Sequence, residues 1–510
     1  MKEKIRVRFA PSPTGYMHVG NFRTALYTYL FARKEQGTFI VRLEDTDQKR
    51  YVEDALEKLL SLLQWAGFEY TEGVYIENGK VVQKGDVGPY IQSERLEIYK
   101  EYAQQAISAG HAYHCFCTPE RLEEMRKEQV MAKRAPMYDR ACLKLSSEEI
   151  AKKRAANEPF VVRQKIITEG MTEYDDLIRG KVIIKNELLD DQILIKSDGY
   201  PTYNFANVID DHLMRITHVT RGEEYISSTP KYIQLYQNFG WEVPKFAHLP
   251  LLLNADKSKL SKRQGDVAVE DYIAKGYLKE AIINFVALLG WNPGQGSTQE
   301  LFSLEELVQS FDIKNVHKSG AVFDLKKLDW MSSEYIKKLS IDELYERISH
   351  AGFLEKSLVK NASHEMQSTE YLKKVLLIER DRLTKLSDIG EQNEFFFVEP
   401  HYETSLLHWK GNTPQMTMEA IEKALALFET LSDIEWDKRD TLERILLETA
   451  GDYAQSLGGI EAGRGRGDFL WPLRVALTGA QKSPSPSDCA FVLGKTMVLK
   501  RLQIAISKLS

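Results

Sequence analysis

Apolar and polar residues alternate at the start of the chain and then change to a helical spacing. Ile5, Val7 and Phe9 alternate with arginines, which is the period-two pattern of a β-strand. After a turn rich in proline and glycine, the apolar residues from 22 to 30 have the spacing of an amphipathic helix. A second strand at 39–43 and a second helix at 55–63 follow. This succession predicts an α/β fold with a parallel sheet of the Rossmann type.

Later segments interrupt and then replace this alternation. Residues 74–84 predict a hairpin, because strand-like residues flank Asn78-Gly79, the preferred two-residue turn. Residues 115–191 mix a charged helical run with strand-like stretches, as expected of an insertion, and helical periodicity dominates from about residue 271 onward. Strands are predicted at 160–167 and 182–185 within the insertion, and the parallel pattern is predicted to resume at 192–195, 204–209 and 218–221.

The composition is that of an ordinary globular protein. At 510 residues the chain is too long for one core, and about three domains of roughly 150 residues are expected. Apolar residues make up 43% and charged residues 28%, which excludes collagen-like, largely disordered and disulfide-stapled proteins. We find neither a membrane-spanning stretch nor a signal-peptide pattern, and four cysteines indicate reduced thiols. We therefore expect a cytoplasmic protein.

Charge is distributed unevenly along the chain. The net charge is −6, but residues 461–510 carry eight basic and three acidic side chains, which leaves them at +5 and the preceding residues at −11. A basic surface on an acidic body suits a protein that contacts a polyanion at chosen places. A solvated C-terminal tail has the same composition, so charge alone leaves both interpretations open.

The loop between the first strand and the first helix is a candidate anion site. Unpaired backbone N–H groups and the dipole of the helix point at the same place, where His18 would add a hydrogen-bond donor. Gly20 lacks a Cβ and would let a flat base approach the backbone. The alternative is a proline-rich turn with an incidental histidine.

A second candidate segment lies near residue 260. Lys257-Ser258-Lys259-Leu260-Ser261-Lys262-Arg263 places four cations within seven residues. Such cations repel one another unless an anion lies between them, and mobile ammonium groups suit a leaving phosphate group. A solvated run of charges is the plain alternative.

Together these segments resemble the two signatures of the class I aminoacyl-tRNA synthetases, and the glutamyl-tRNA synthetases match most closely. The chain departs from the usual pattern at Asn21, which replaces a histidine, and at Leu260 and Arg263 of the second signature. The resemblance covers nearly the whole chain in the right order. Its longer shared strings lie at 8–15, 42–47, 197–207, 220–224, 472–479 and 493–495.

The resemblance implies a Rossmann-type catalytic domain interrupted by an acceptor-stem-binding subdomain and followed by an all-α anticodon-binding half. The two halves of the catalytic domain would occupy 1–114 and 192–270, on either side of the subdomain at 115–191. A helical stem-contact region at 271–330 would precede the anticodon-binding domain at 331–510.

The implied activity is an ATP-dependent ligase that forms glutamyl-adenylate and transfers L-glutamate to the 3′ end of tRNA(Glu), with release of AMP and pyrophosphate. A guanidinium binds a carboxylate with two hydrogen bonds, so Arg8 and Arg221 fit the family's positions for the glutamate side chain, while Glu44 would hold the α-ammonium. Ordinary strand or core roles are the alternatives. Further implied glutamate contacts are Ser12, Tyr203 and Asn207.

The implied chemistry needs no protein nucleophile. Catalysis would come from positioning and from neutralising the charge that develops on the phosphates, by His18, Lys259, Lys262 and Mg²⁺. The implied ATP-binding residues are His18, Gly20, Asn21, Glu224, Lys259, Leu260, Ser261 and Lys262.

Three cysteines form a candidate zinc site. Cys115, Cys117 and Cys142 are one ligand short of a tetrahedral site. Some bacterial members of the family bind zinc through a similar Cys-x-Cys…Tyr-x-x-x-Cys arrangement, which would make Tyr138 the fourth ligand. His111 and His114 are nearby alternatives, and thiols packed in a small subdomain are the metal-free interpretation.

The resemblance also implies tRNA as a partner and a monomeric protein. Candidate contacts to tRNA phosphates are Arg464, Arg466, Arg474, Lys495 and Arg501. We considered a glutaminyl-tRNA synthetase, a shorter paralogue that modifies a tRNA base, and an inactive RNA-binding scaffold. The Pro-Thr-Gly loop, the helical C-terminal half and the retained signature residues argue against them. Whether tRNA(Gln) is also charged stays open.

Overall fold

The chain folds into two compact units. The computed structural model describes residues 4–47, 52, 54–260, 267–294, 296–355 and 357–510. The first unit comprises Met1–Tyr272 and Ile282–Leu325, and the second comprises Ile273–Ala281 and Lys326–Ser510. None of the described helices has the length and apolarity needed to cross a bilayer.

The first unit begins with a four-stranded sheet. Its strands are β1 (Arg6–Phe9), β2 (Thr38–Val41), β3 (Glu72–Glu77) and β4 (Lys80–Lys84), in that order across the sheet. The first three are parallel, and α1 (Val19–Lys34) and α2 (Ala55–Ala66) connect them, as predicted. β4 returns antiparallel through Asn78 and Gly79, whose φ angles of 52° and 71° are positive, so the predicted hairpin is confirmed.

The next segment builds an antiparallel sheet and a hairpin. Its elements are α3 (Leu96–Ser108), β5 (Ala112–Cys115), α4 (Pro119–Met131), α5 (Ser147–Ala155), β6 (Val161–Gln164), β7 (Met171–Asp176), β8 (Gly180–Lys185) and β9 (Ile193–Ile195). β6 lies between β5 and β9 and is antiparallel to both, so the prediction that 192–195 belongs to the parallel pattern is wrong, and β7 pairs with β8. The predicted division into segments 115–191 and 192–270 remains a proposal. The boundary between these segments separates β6 from its partner strand β9.

A second group of parallel strands completes the α/β part. The elements are α6 (Tyr203–Leu213), β10 (His218–Gly222), α7 (Thr229–Asn238), β11 (Lys245–Leu249), β12 (Leu252–Leu253), α8 (Val269–Ala274), α9 (Lys279–Ala287), α10 (Leu304–Ser310) and β13 (Ala321–Val322). β10 and β11 are parallel, and β11 also pairs with β7 where Phe246 meets Asp176. The β7–β8 hairpin therefore extends the sheet of β10 and β11, and β12 pairs separately with β13.

The prediction of a strand at 204–209 is wrong, because these residues belong to helix α6. Phe205, Val208 and Ile209 are fully buried against residues such as Tyr99 and Tyr232. A helix that is buried on most of its surface has a nearly continuous apolar sequence, which a short window does not distinguish from a buried strand.

All regular secondary structure in the described residues of the second unit is helical. This confirms the predicted all-α half. Its helices are α11 (Leu325–Lys338), α12 (Ile341–His350), α13 (Thr369–Glu379), α14 (Pro414–Thr430), α15 (Asp433–Trp436), α16 (Arg439–Ser456), α17 (Gly467–Thr478) and α18 (Pro486–Leu509). Capping serines begin α12 at Ser340 and α13 at Ser368. α18 is kinked at Gly494, whose φ of 74° and ψ of 164° are not helical.

The kink in α18 can be tested by substitution. We expect Gly494→Ala to lower the free energy of unfolding by about 2 kcal/mol, because its backbone conformation is nearly exclusive to glycine. Among the described residues, nothing outside the adjoining stretch of chain lies within 4 Å of the added Cβ, so the cost is conformational. The matched control is Gly451→Ala within α16, which also adds a Cβ into open space and should stabilise the chain by about 0.5–1 kcal/mol. Denaturant unfolding followed by circular dichroism measures the free energy of unfolding of both variants. If both substitutions change it in the same direction, the strained conformation at Gly494 is contradicted.

Candidate active site and cysteine cluster

His18 begins helix α1 and has a defined protonation pattern. It is the N-cap residue, and its Nδ1 accepts a hydrogen bond from the backbone N–H of Gly20 at 2.9 Å. An accepting Nδ1 places the proton of the neutral ring on Nε2. A Cβ on Gly20 would lie 3.1 Å from Nδ1, which explains glycine at this position. Asn21 follows in the first turn of the helix and is exposed.

Backbone hydrogen bonds hold the described residues on either side of the gap that contains the end of the second signature. On one side, Leu260 N–H donates to the Leu252 carbonyl at 2.9 Å, and the Leu252 side chain lies next to Gly20. On the other side, Val19 N–H donates to the Val267 carbonyl at 2.8 Å, directly beside His18. Lys259 is exposed and Leu260 is buried, whereas Ser261, Lys262 and Arg263 lie outside the described residues. Leu260 and Val267 are therefore both anchored near the N-terminus of α1.

A buried ion-pair network lies beneath the ends of β1 and β2. Asp211 on α6 accepts from Arg8 at 3.0 Å and from Arg42 at 2.7 Å, and Arg42 also donates to Glu44 at 3.0 Å. All four side chains are at most 4% exposed. Burial raises the pKa of Glu44 to about 7 against the opposing charges of Arg42 and Arg8. Burial would also raise the pKa of Asp211, but the two guanidinium groups hold it below its usual value.

Arg221 lies at the end of β10 in a different environment. It is 5% exposed, and its Cζ lies 4.6 Å from the ring centre of Tyr232 and 5.3 Å from that of Tyr225. Its guanidinium donates to Thr229 Oγ1 at 2.8 Å and to His248 Nε2 at 3.2 Å. Among the described residues no carboxylate lies within ion-pairing distance of it. A buried cation without a counterion is a candidate receptor for an anionic ligand.

Tyr203 lies between these two groups of charges. Its ring centre is 5.3 Å from that of Tyr225, which also faces Arg221. Burial raises the pKa of its hydroxyl, the charge of Glu44 adds to the rise, and Arg221 opposes it. Asn207, one turn along α6, is buried and donates to the Tyr203 carbonyl at 2.6 Å. The remaining predicted residues, Ser12 and Glu224, are exposed.

The three cysteines and the tyrosine predicted as metal ligands converge. The ligand sulfur atoms of Cys115, Cys117 and Cys142 lie within 4.8 Å of one another. The Tyr138 hydroxyl is 3.3 Å from Cys115 Sγ and 3.3 Å from Cys117 Sγ. His114 instead packs against Phe160, and neither it nor His111 joins this group in the described part of the chain. Three sulfurs and one phenol oxygen form a four-atom donor set that fits a tetrahedral zinc ion.

The basic residues predicted to contact tRNA differ in their surroundings. Arg466 is exposed. Arg501 is only 2% exposed, and its guanidinium donates to the carbonyls of Leu477 and Val398. Arg501 is therefore a core residue of the helical unit, and its burial contradicts the prediction that it contacts a tRNA phosphate. The other side chains donate within the unit: Arg464 to Asn412 and Asp468, Arg474 to Ser483 and Pro484, and Lys495 to Glu429 and Leu431.

Sequence reasoning did not identify the residues that hold the predicted ones in place. Asp211 follows Asp210 at the end of an apolar run, and paired acids in such a run are a signal of buried ion pairs. Arg42 stands two residues before Glu44, on the same face of an extended segment. His248 and its partner Asp176 are 72 residues apart, and no local pattern connects them.

The chain matches two protein-family descriptions, "tRNA synthetases class I (E and Q), catalytic domain" over residues 4–330 and "Anticodon binding domain" over residues 343–506. It is 45% identical over 511 residues to the glutamate–tRNA ligase of Clostridium acetobutylicum, with 99% of each chain covered. The Clostridium tetani ligase is 46% identical, with 99% of this chain and 98% of the relative covered.

Solved structures agree with these matches. The glutamate tRNA ligase of Elizabethkingia meningosepticum, crystallised in complex with its amino acid, is similar with a TM-score of 0.85 at 34% identity over 100% of both chains. The glutamate-tRNA synthetase of Elizabethkingia anophelis gives a TM-score of 0.84 at 34% identity, over 99% of this chain and 100% of the other.

The buried network can be tested by removing one charge. Asp211→Asn leaves Arg8 and Arg42 without their shared carboxylate, and we expect the free energy of unfolding to fall by about 3 kcal/mol. The matched control is Glu72→Gln, which weakens the more accessible Arg6–Glu72 pair of 2.8 Å and should cost about 1 kcal/mol or less. Denaturant unfolding at neutral pH measures both variants; equal losses would contradict the central role of Asp211.

Proposed function

Because the chain belongs to the glutamate–tRNA ligases of the class I tRNA synthetases, we propose the following reaction as its function. It activates L-glutamate with ATP to glutamyl-adenylate and transfers the glutamyl group to the 3′ end of tRNA(Glu), releasing AMP and pyrophosphate. The geometric observation that carries this function is Arg221, a buried guanidinium without a carboxylate partner in the described residues. A substrate with a second carboxylate supplies the missing charge.

In the proposed glutamate pocket, Arg221 and Arg8 hold the side-chain carboxylate and Glu44 holds the α-ammonium. Their shared burial supports this assignment, since ion pairs are strongest away from water. Arg8 uses its Nε for Asp211 and donates from Nη1 to the Thr220 carbonyl at 3.5 Å, so its Nη2 retains donor capacity for a substrate. Ser12, Tyr203 and Asn207 would orient the substrate through neutral hydrogen bonds.

For the adenylation step we assign the phosphates of magnesium-bound ATP to the N-terminus of α1 and the second signature. The glutamate α-carboxylate attacks the α-phosphorus, and pyrophosphate leaves with the bonding electrons. His18 would donate from Nε2 to a phosphate oxygen, and Lys259 and Lys262 would neutralise the leaving group. The other proposed ATP contacts are Gly20, Asn21, Glu224, Leu260 and Ser261.

The tRNA would contact both parts of the chain. We assign the acceptor stem to the inserted segment 115–191, the stem-contact role to 271–330 and anticodon binding to 331–510. Exposed Arg466 is the strongest phosphate-contact candidate of the predicted set. Arg464, Arg474 and Lys495 would have to exchange their internal hydrogen bonds for such contacts. A monomer in the cytoplasm completes the proposal.

We also propose that Cys115, Cys117, Cys142 and Tyr138 hold one structural zinc ion. The convergence of their donor atoms supports the assignment. Zinc at this position would tie β5 to the segment that follows α4, because the ligands come from both. The site takes no part in the proposed chemistry.

Aminoacylation with labelled amino acids tests the function. We expect glutamate to be transferred to purified tRNA(Glu), and glutamine to be transferred to either tRNA only at a small residual rate. Lys259→Ala should lower kcat roughly tenfold or more because it removes a charge that faces the leaving group. Lys245→Ala, an exposed lysine on β11, is the matched control and should leave kcat unchanged. Absence of glutamate transfer to either tRNA would contradict the proposal; transfer to both would extend it to tRNA(Gln).

Metal analysis tests the zinc site. Mass spectrometry of chain purified without chelators should find about one zinc per chain, and Cys142→Ser should remove most of it because three ligands hold zinc weakly. Cys489→Ser is the matched control, because Cys489 is buried in the helical unit and is not one of the proposed ligands. This variant should keep its zinc. Wild-type chain without zinc would overturn the assignment.

A further inference from the structure

A histidine lies directly behind the buried guanidinium of Arg221. His248 on β11 is fully buried, and its Nε2 lies 3.2 Å from Arg221 Nε. Its Nδ1 lies 2.6 Å from Oδ2 of Asp176, which is 3% exposed. Carboxylate, imidazole and guanidinium therefore form one continuous hydrogen-bonded chain.

The direction of each hydrogen bond in this chain follows from chemistry. A guanidinium only donates, so Nε2 of His248 must accept from Arg221, and the ring proton must lie on Nδ1 and point to Asp176. Thr229 Oγ1 donates to the Tyr225 carbonyl at 2.9 Å, which leaves it to accept from Arg221. Burial lowers the pKa of His248 despite the pull of Asp176, in keeping with a neutral ring.

Asp176 is itself held firmly. It accepts backbone N–H groups from Ile178 at 2.9 Å and from Arg179 at 2.8 Å, in addition to that of His248. Arg179 then donates to the His248 carbonyl and pairs with Glu223, two residues after Arg221 in the chain. The turn between β7 and β8 therefore holds both Asp176 and the backbone of His248.

The neutral ring has an electrostatic consequence. A carboxylate in direct contact with Arg221 would orient the guanidinium but would also neutralise it and compete with a substrate carboxylate. An imidazole placed between them transmits the orientation and keeps the negative charge one ring away. Arg8 contacts Asp211 directly, so its charge is already compensated within the chain and it would offer the substrate hydrogen bonds rather than an unpaired charge.

We propose that His248, oriented by Asp176, is a positioning residue that fixes the guanidinium of Arg221 for the side-chain carboxylate of the amino-acid substrate. This inference deepens the proposed function and rests on it. His248 acts through Arg221 and does not touch the reacting atoms. Its contribution is to substrate binding, so it sets the KM for glutamate and leaves the rate of the chemical step nearly unchanged.

Two substitutions separate the two hydrogen bonds of His248. His248→Asn can keep the bond to Asp176 but does not reach Arg221, whereas His248→Gln offers an oxygen near the former Nε2 position that can accept from Arg221. In aminoacylation assays with saturating tRNA(Glu), we expect H248N to raise the KM for glutamate roughly 10- to 100-fold and H248Q to raise it by about threefold or less. The KM for ATP should not change in either variant. His218→Asn, on the neighbouring strand β10, is the matched control and should behave as wild type.

The outcomes distinguish the inference from the function on which it rests. Wild-type chain that does not charge glutamate removes the proposed function. The positioning role alone is overturned if the wild type is active and the KM for glutamate in H248N is unchanged. It is also overturned if the KM for glutamate rises as much in H248Q as in H248N. Equal losses for glutamate and ATP would make His248 merely structural. Nitrogen-15 NMR of labelled histidine in the wild type needs no variant to fold: a neutral ring protonated on Nδ1 near neutral pH is expected, and a proton on Nε2 overturns the proposal.

Discussion

One buried charge organises the substrate pocket: the guanidinium of Arg221, which has aromatic rings and neutral acceptors around it in the described residues but no carboxylate. Removing a cation from water costs several kcal/mol unless an anion compensates it. The neighbouring cations Arg8 and Arg42 have found such partners within the chain. In the proposed function, bound glutamate would supply the compensation for Arg221, and the pocket would select a second carboxylate by charge balance.

The fold places Arg221 at the strand edge where the proposed phosphate-binding elements also begin. Arg8 stands near the carboxyl end of β1 and Arg221 near that of β10, the edge at which ligands bind in parallel sheets. Helix α1 begins at the same end of β1, so its N-terminus and His18 face the region where the phosphates would lie. Val267, which follows the second signature in the chain, pairs with Val19 at that helix end. Both substrates of the adenylation step can therefore meet there.

Local patterns predicted the local structure well. The alternation at the N-terminus, the Asn78-Gly79 turn and the cysteine spacing each depend on residues close in sequence, and the structure has β1, the β3–β4 hairpin and a converged thiol cluster. The residues of α6 were mistaken for a strand because burial on most sides removed the polar face. Arg501 looked accessible by charge alone, since a sequence does not show that carbonyl oxygens surround it. The Asp176–His248–Arg221 chain forms only when distant strands pair.

The most direct test of this account is substrate discrimination by the buried charge. We would measure kcat/KM for glutamate and for glutamine with tRNA(Glu) in the wild type and in Arg221→Gln. If Arg221 compensates the second carboxylate, the variant should lose about a thousandfold for glutamate and less than about tenfold for glutamine, because only glutamate carries the charge. Equal losses for both amino acids would mean that Arg221 shapes the pocket without reading charge, and would contradict the account.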